Sequence, residues 1–393
     1  MRTRHASAIS IAFWLTNVVA RPSSGQQGVA TPGIPNSNQT VTVGSKSIET
    51  DAQALKKSRR DNVDSTENVN PNPKTQIYPK RSDNDAPYSM SEQELRSKMF
   101  FPKAFNASSN KQPVILVPGT AAMAGSTYRA NLGPLLAMSD FANPLWVNIP
   151  KASLNDAQEN SEYVAYAMNY IQTFTGRKPA VVAWGQGTLN VQWALKYWPS
   201  TRDAVTDLVA LSANFHGTTA DFPGCKIILP ILGGPPSIYQ QMYDSEFVRT
   251  LRANGGDNAY VPTTSIFSAM DEIVQPQSGS QASAFLNNTR GVDASNIEVQ
   301  KACPNTPASL DVTHEGILYN PLAFALLKDA LAHEGPGRLE RIDKKVCGDI
   351  SAGKLGRDEI EATDDVLDDA KRECLLYDDK VEGEPDIKGY AKQ

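Results

Sequence analysis

The sequence predicts an α/β domain with a mainly parallel central sheet and helices on both faces. Three observations carry that expectation. Short runs rich in Val, Ile and Leu recur from about residue 111, and longer stretches with apolar residues at helical spacing lie between them. A glycine-rich turn then joins one such run directly to a helical stretch.

In chain order, Pro113-Val-Ile-Leu-Val117 is a buried strand by length and composition. Ala180-Val-Val-Ala-Trp184 is a second and Leu208-Val-Ala-Leu211 a third. Between the first two, residues 159–175 place Tyr163, Tyr166, Ala167, Tyr170 and Ile171 on one helical face. Residues 189–198 repeat the theme after the second strand. Strand, helix, strand in series is the pattern of a parallel sheet covered by its crossovers. The tail from about Ala362 is acidic and helix-prone.

Bulk properties narrow the function classes. At 40% hydrophobic residues the chain can build a sizeable core. A net charge of -5 without a basic block gives nucleic acid nothing to bind. The four cysteines include no C-x-x-C pair, so neither a zinc site nor redox chemistry is expected. No apolar stretch approaches the roughly 18 residues of a membrane span.

The N-terminal region divides by composition. Residues 1–20 read as an export signal, with Arg2 and Arg4 ahead of an apolar middle and Val18 and Ala20 at the small-residue positions before a cut. Residues 21–81, dominated by Gly, Pro, Ser, Asn, Gln and Thr, read as a disordered propeptide. Two dibasic pairs lie in it, Arg59-Arg60 and Lys80-Arg81, and the second marks the expected start of a folded domain over residues 82–393. The sequons at Asn38, Asn106 and Asn287 fit a secreted, extracellular glycoprotein.

The segment Ala183-Trp184-Gly185-Gln186-Gly187-Thr188 carries the chemistry. Between a strand and a helix, small-x-Ser-x-Gly forms the nucleophile elbow of α/β-hydrolases, and here Gly185 stands at the serine's place. Glycine-rich turns of this kind also open nucleotide-binding folds, but no Gly-x-Gly-x-x-Gly follows. Leu116-Val-Pro-Gly-Thr120 follows an earlier strand, Thr263-Thr-Ser-Ile-Phe-Ser-Ala-Met-Asp271-Glu-Ile-Val-Gln-Pro-Gln277 comes later, and Thr313-His314-Glu-Gly lies near the last core elements. Elbow, Asp, His is the chain order α/β-hydrolases use.

With these segments the sequence resembles the fungal lipase B family of α/β-hydrolases from about residue 84 to the C-terminus. The resemblance implies an ester-hydrolysing site without metal or cofactor, acting as a monomer on lipid or ester molecules with transient contact at a lipid interface. Carried over by position, Asp271 orients the imidazole, His314 is the general base, and Thr120 (backbone and hydroxyl) and Gln186 (backbone) form the oxyanion hole. Gln241 matches a polar pocket position, and Asn214 stands where the family usually has aspartate. The family disulfide flanking the histidine loop corresponds to Cys303–Cys347, which leaves Cys225 and Cys374 for each other. Residues 225–232 fall at the family's entrance element; their apolar side chains suit an acyl chain or simply a helix packed on the core.

Gly185 departs from the pattern. It offers no atom to attack a carbonyl, and removing the serine of a working triad costs on the order of a million-fold in turnover. Three readings stand at the level of sequence: a pseudoenzyme that keeps a lipid- or ester-binding cleft, an active member altered at one nucleotide, or an enzyme using another hydroxyl, Thr188 or Ser212 being nearest in the pattern.

Overall fold

The computed structural model describes residues 62–220 and 233–392, and among them seven strands form one sheet in the order β1-β3-β2-β4-β5-β6-β7. The strands are β1 (Met99–Phe100), β2 (Gln112–Val117), β3 (Ala142–Val147), β4 (Ala180–Trp184), β5 (Leu208–Leu211), β6 (Thr263–Phe267) and β7 (Ala294–Glu298). All pairings are parallel except β1 with β3. The three strands expected from sequence recur with the same limits, save that β2 begins one residue earlier, at Gln112.

Alternating side chains divide the sheet between two cores. Ile115, Val117, Val181, Ala183, Leu208 and Ala210 face one, and Val114, Leu116, Val182, Trp184, Val209 and Leu211 face the other. The helices that close these cores are α1 (Ala124–Tyr128), α2 (Ala157–Thr175), α3 (Gln186–Tyr197), α4 (Pro321–Ala332) and α5 (Arg357–Leu376). Helices α2 and α3 cover the first face, contributing Tyr166, Tyr170, Leu189 and Trp193. Helices α1, α4 and α5 lie on the second, through Tyr128, Leu322, Leu326 and Val366. The α/β-hydrolase fold expected from sequence is the fold observed.

Helix limits follow from capping. The Asp156 carboxylate accepts the Gln158 N–H at 2.9 Å and starts α2 just before the periodic residues, while Gly176, at φ 73°, ends it in the left-handed region. Helix α3 starts at Gln186, three residues before its apolar spacing becomes visible, because the turn at Gly185 leads straight into it.

One expectation is corrected. The described residues of the stretch 62–81 are packed against the domain, so the folded part begins by Asn62 and not at residue 82. Ile77 is fully buried, and the Asp64 carboxylate accepts the Ser126 N–H at 2.8 Å and the Ser126 hydroxyl at 2.5 Å. The Val63 carbonyl accepts Trp146 Nε1 and Asn148 Nδ2, both at 2.8 Å, and the Pro71 carbonyl accepts the Tyr170 hydroxyl at 2.8 Å. This strap has almost no periodic structure of its own. Its backbone is paired by side chains from distant elements, which a local reading of composition does not detect.

The Cys303–Cys347 disulfide forms, and Cys374 is also disulfide-bonded. Cys225, the entrance segment 225–232, Asn38, the signal segment and residues 21–61 lie outside the described residues. No helix among the described residues is long and apolar enough to cross a membrane.

Candidate active site

The site lies at the C-terminal edge of the sheet, where β4 turns sharply into α3. At the turn Gly185 adopts φ 51° and ψ -124°, a conformation that a side chain occupies at a cost of about 1–3 kcal/mol and glycine without it. Gly187 is required for a different reason: a Cβ there would lie 2.6 Å from the Pro118 carbonyl oxygen, so α3 could not approach the loop after β2.

Two distant loops bring Asp271 and His314 together. Asp271 follows β6, and its Oδ2 lies 2.8 Å from His314 Nδ1. Its Oδ1 accepts the N–H groups of Ile273 (2.9 Å) and Val274 (2.8 Å), which fixes the carboxylate. The histidine loop is held from below: its carbonyl accepts Trp184 Nε1 at 2.9 Å and the Ser212 hydroxyl at 3.1 Å, and its N–H donates to Glu272 Oε2 at 3.2 Å. Both rings and carboxylate are buried. Burial opposes a charge on His314, but the Asp271 carboxylate, with Glu272 and Glu315 nearby, outweighs it and raises the imidazole pKa above its ordinary value.

With Nδ1 engaged by Asp271, Nε2 faces the elbow. A Cβ built on Gly185 falls 2.9 Å from His314 Nε2 and 3.4 Å from Cε1, closer than a side chain tolerates unless the ring yields. The two hydroxyls considered as substitutes point elsewhere. Thr188 donates to the Gly185 carbonyl at 2.7 Å, and Ser212 spends its proton on the His314 carbonyl while sitting at a strained φ of 44°.

On the opposite wall the Thr120 hydroxyl donates to Gln241 Oε1 at 2.9 Å, which also accepts Asn214 Nδ2 at 3.0 Å. Gln241 Nε2 donates to Gln186 Oε1 at 3.1 Å. Thr120, Gln186, Asn214 and Gln241 therefore form one network. In this arrangement the Thr120 proton is committed to Gln241, so its backbone N–H is the group left for a ligand. Gln186 is the first residue of α3, where an N–H has no carbonyl one turn earlier to bind. The asparagine at 214 supplies an N–H that an aspartate would lack, and its buried Oδ1 has no hydrogen-bond partner among the described residues.

These groups line a small cavity whose remaining described walls include Ile238, Met242, Ile273 and Val274. Six positions singled out from sequence (Thr120, Gly185, Gln186, Asn214, Gln241 and His314) thus meet in one cavity, with Asp271 behind the histidine. Sequence reasoning missed Trp184, Ser212 and Glu272 as supports of the histidine loop. Position supplied the only signal: each is adjacent to a motif residue or ends a core strand.

No protein-family model matches the chain. Lipase B of Pseudozyma antarctica is 30% identical over 287 residues, covering 72% of this chain and 80% of that protein. The crystal structure of Aspergillus fumigatus lipase B matches with a TM-score of 0.80 at 50% identity, covering 84% of this chain and 78% of that chain.

Proposed function

This chain belongs to the lipase B family of α/β-hydrolases, and on that premise we propose that it carries an ester-hydrolase site whose nucleophile position is Gly185. In this reading His314 is the general base, Asp271 orients it, and the N–H groups of Thr120 and Gln186 form the oxyanion hole. The observation that carries it is the approach of His314 Nε2 to 2.9 Å of the Cβ that a serine would place at residue 185. A serine there would hand its proton to Nε2 and attack an ester carbonyl whose oxygen rests in the hole. Glycine cannot form an acyl-enzyme, so the chain is impaired in ester hydrolysis and the cleft serves to bind lipids or hydrophobic esters.

The test is hydrolysis of p-nitrophenyl butyrate and tributyrin by the parent and by Gly185→Ser. The parent runs near background and the revertant gains at least about a thousand-fold, given the magnitudes of triad knockouts. A folded but inert revertant overturns the assignment of His314 and Asp271.

The remaining parts of the reading concern processing. The protein is secreted as a monomer that touches lipid surfaces transiently. Asn106 and Asn287 carry glycans, a role their exposure on the surface supports. Because the strap from Asn62 is packed into the domain, the removed segment ends upstream of it, and Arg59-Arg60 replaces Lys80-Arg81 as the cut.

A further inference from the structure

We propose that a groove remote from the catalytic cleft, built around Lys196, Arg202 and Arg290, binds a polyvalent oxyanion carrying phosphoryl or sulfuryl groups. The inference stands apart from the hydrolase reading. Lys196 lies in the last turn of α3, whose first residue is Gln186, so the groove is about 15 Å from the elbow at 1.5 Å of rise per residue. Its walls also include Lys80, Asn84, Asn254 and Tyr260.

The three cations are held by carbonyl groups, not by carboxylates. Lys196 Nζ donates to the carbonyls of Thr250 (2.7 Å), Leu251 (3.0 Å) and Ala253 (2.7 Å). Arg202 donates through Nε to the Leu195 carbonyl at 2.7 Å and through Nη2 to that of Lys196 at 3.1 Å. Arg290 donates through Nη1 to the Asn258 carbonyl at 2.9 Å and through Nη2 to that of Gly255 at 2.8 Å. A carbonyl orients a charged head without neutralising it. Among the described residues none of the three forms an ion pair with a carboxylate, and Arg202 Nη1 has no acceptor. Both guanidinium groups lie over the Tyr260 ring, Arg202 at 4.4 Å and Arg290 at 3.9 Å from its centre, so one ligand with two charged groups can reach both.

The neighbouring acids are engaged elsewhere. Asp257, the carboxylate that faces Lys196, bonds Arg252 at 2.8 Å and lies 3.5 Å from His216. Asp85 has both oxygens taken up, by the N–H groups of Ser82 and Ser200 and by the Ser200 hydroxyl. Asp203, beside Arg202, is exposed, and exposed Asp83 at the rim is matched by Lys80. The Tyr197 ring, 5.2 Å from Lys196 Nζ, is uncharged. Burial, and after it the Arg290 charge, push the Lys196 ammonium down to about 8, and Arg202 is lowered by the same two causes. Like charges thus repel one another here in a chain whose net charge is -5. An anion laid against them relieves that repulsion, and the planar guanidinium fork matches the oxygens of a phosphoryl or sulfuryl group.

The test titrates the full chain at low ionic strength with sodium tripolyphosphate, with sucrose octasulfate and with uncharged sucrose, read by calorimetry and by Tm. Expected is binding of an anion that raises Tm, with no effect of sucrose. Preference for tripolyphosphate identifies a free oxyanion as the source, and preference for the octasulfate a sugar-borne ester. Arg290→Gln weakens the anion at least about tenfold, the loss of a charged hydrogen-bonding partner, and Arg290→Lys restores part of it. Lys345→Gln, which removes an exposed charge outside the groove, changes nothing. Octasulfate, whose own charge is fixed, binds more tightly as pH falls through about 8, because Lys196 must then be charged, and takes up protons at pH 8.

No binding of either anion overturns the proposal. So does equal weakening by Arg290→Gln and Lys345→Gln, which would mean diffuse attraction to the surface. The Tm of each variant without ligand shows that it is folded, so a lost titration reports on the groove.

Discussion

On the loop side of the site the side chains are tied together by hydrogen bonds. Asp271 has both oxygens engaged, His314 is anchored through ring, N–H and carbonyl, and the network from Thr120 to Gln186 closes the opposite wall. On the elbow side the backbone bend is fully formed, but the residue at its tip has no side chain. The difference shows that the two halves depend on different physics. The loop side is maintained by hydrogen bonds between side chains, each of which costs about 0.5–1.5 kcal/mol to lose and more when a buried partner is left unpaired. The elbow is maintained by backbone geometry, which glycine satisfies better than serine. A glycine at the tip of the elbow therefore leaves the fold untroubled, and the rest of the site has no structural reason to collapse.

The largest effect expected tests whether the loop side is poised for catalysis. In a Gly185→Ser background, Asp271→Asn lowers kcat by about ten-thousand-fold while the fold is retained, because the imidazole is then held in the wrong tautomer. Steady-state kinetics of the two variants decide it; a loss below tenfold would mean that Asp271 is only structural.

The next sharpens the claim about the elbow. Gly185→Ser, although it gains activity, loses about 1–3 kcal/mol of stability to backbone strain and to crowding of His314, and its Tm falls by several degrees. Calorimetry showing an unchanged or raised Tm would break the argument that glycine relaxes this turn.

A third asks whether the wall facing the elbow depends on the strap. Asp64 holds Ser126 on α1, which follows directly from the loop carrying Thr120. Asp64→Ala destabilises the protein by about 2 kcal/mol in urea titration, since it strips two hydrogen bonds from a charged acceptor. A neutral result would make the strap dispensable.

The smallest effect is pH dependence. The folded pKa of His314 is raised, so the stability this group contributes is complete below its unfolded value of about 6.5 and is lost as pH rises through the folded value. Burial pushes Glu162 and Asp207 up to about 7, which adds a loss of the same sign in a lower window, from their unfolded values of about 4 up to about pH 7. His314→Gln should flatten the Tm profile above pH 6.5 and leave the slope below it, which Glu162 and Asp207 supply. In the Gly185→Ser enzyme, kcat/KM should rise with pH to a midpoint above the ordinary imidazole value, because the base acts when neutral.

Much of this was legible in the chain. Leu208–Leu211 and Ala180–Trp184 are recognisable as strands because a short β-branched or apolar run has few other uses in a buried sheet. The elbow was recognisable from its glycine-rich strand–helix turn, and the Thr120 loop and the Asp271 segment from their resemblance to the lipase B family. The strap at 62–81 was not, since Asn148, Trp146 and Tyr170 pair its backbone from elsewhere in the chain.

The sequence by itself determined three central strands of the sheet, the order of the site's segments and the absence of a side chain at residue 185, all properties of single residues or short windows. Only the tertiary structure decided that His314 Nε2 reaches the glycine, that the Thr120 proton goes to Gln241, and that Thr188 and Ser212 are turned away. Those facts depend on contacts between groups far apart in the chain, such as Asp271 and His314 at a separation of 43 residues. Side-chain direction across such distances is set by packing, which no local pattern records.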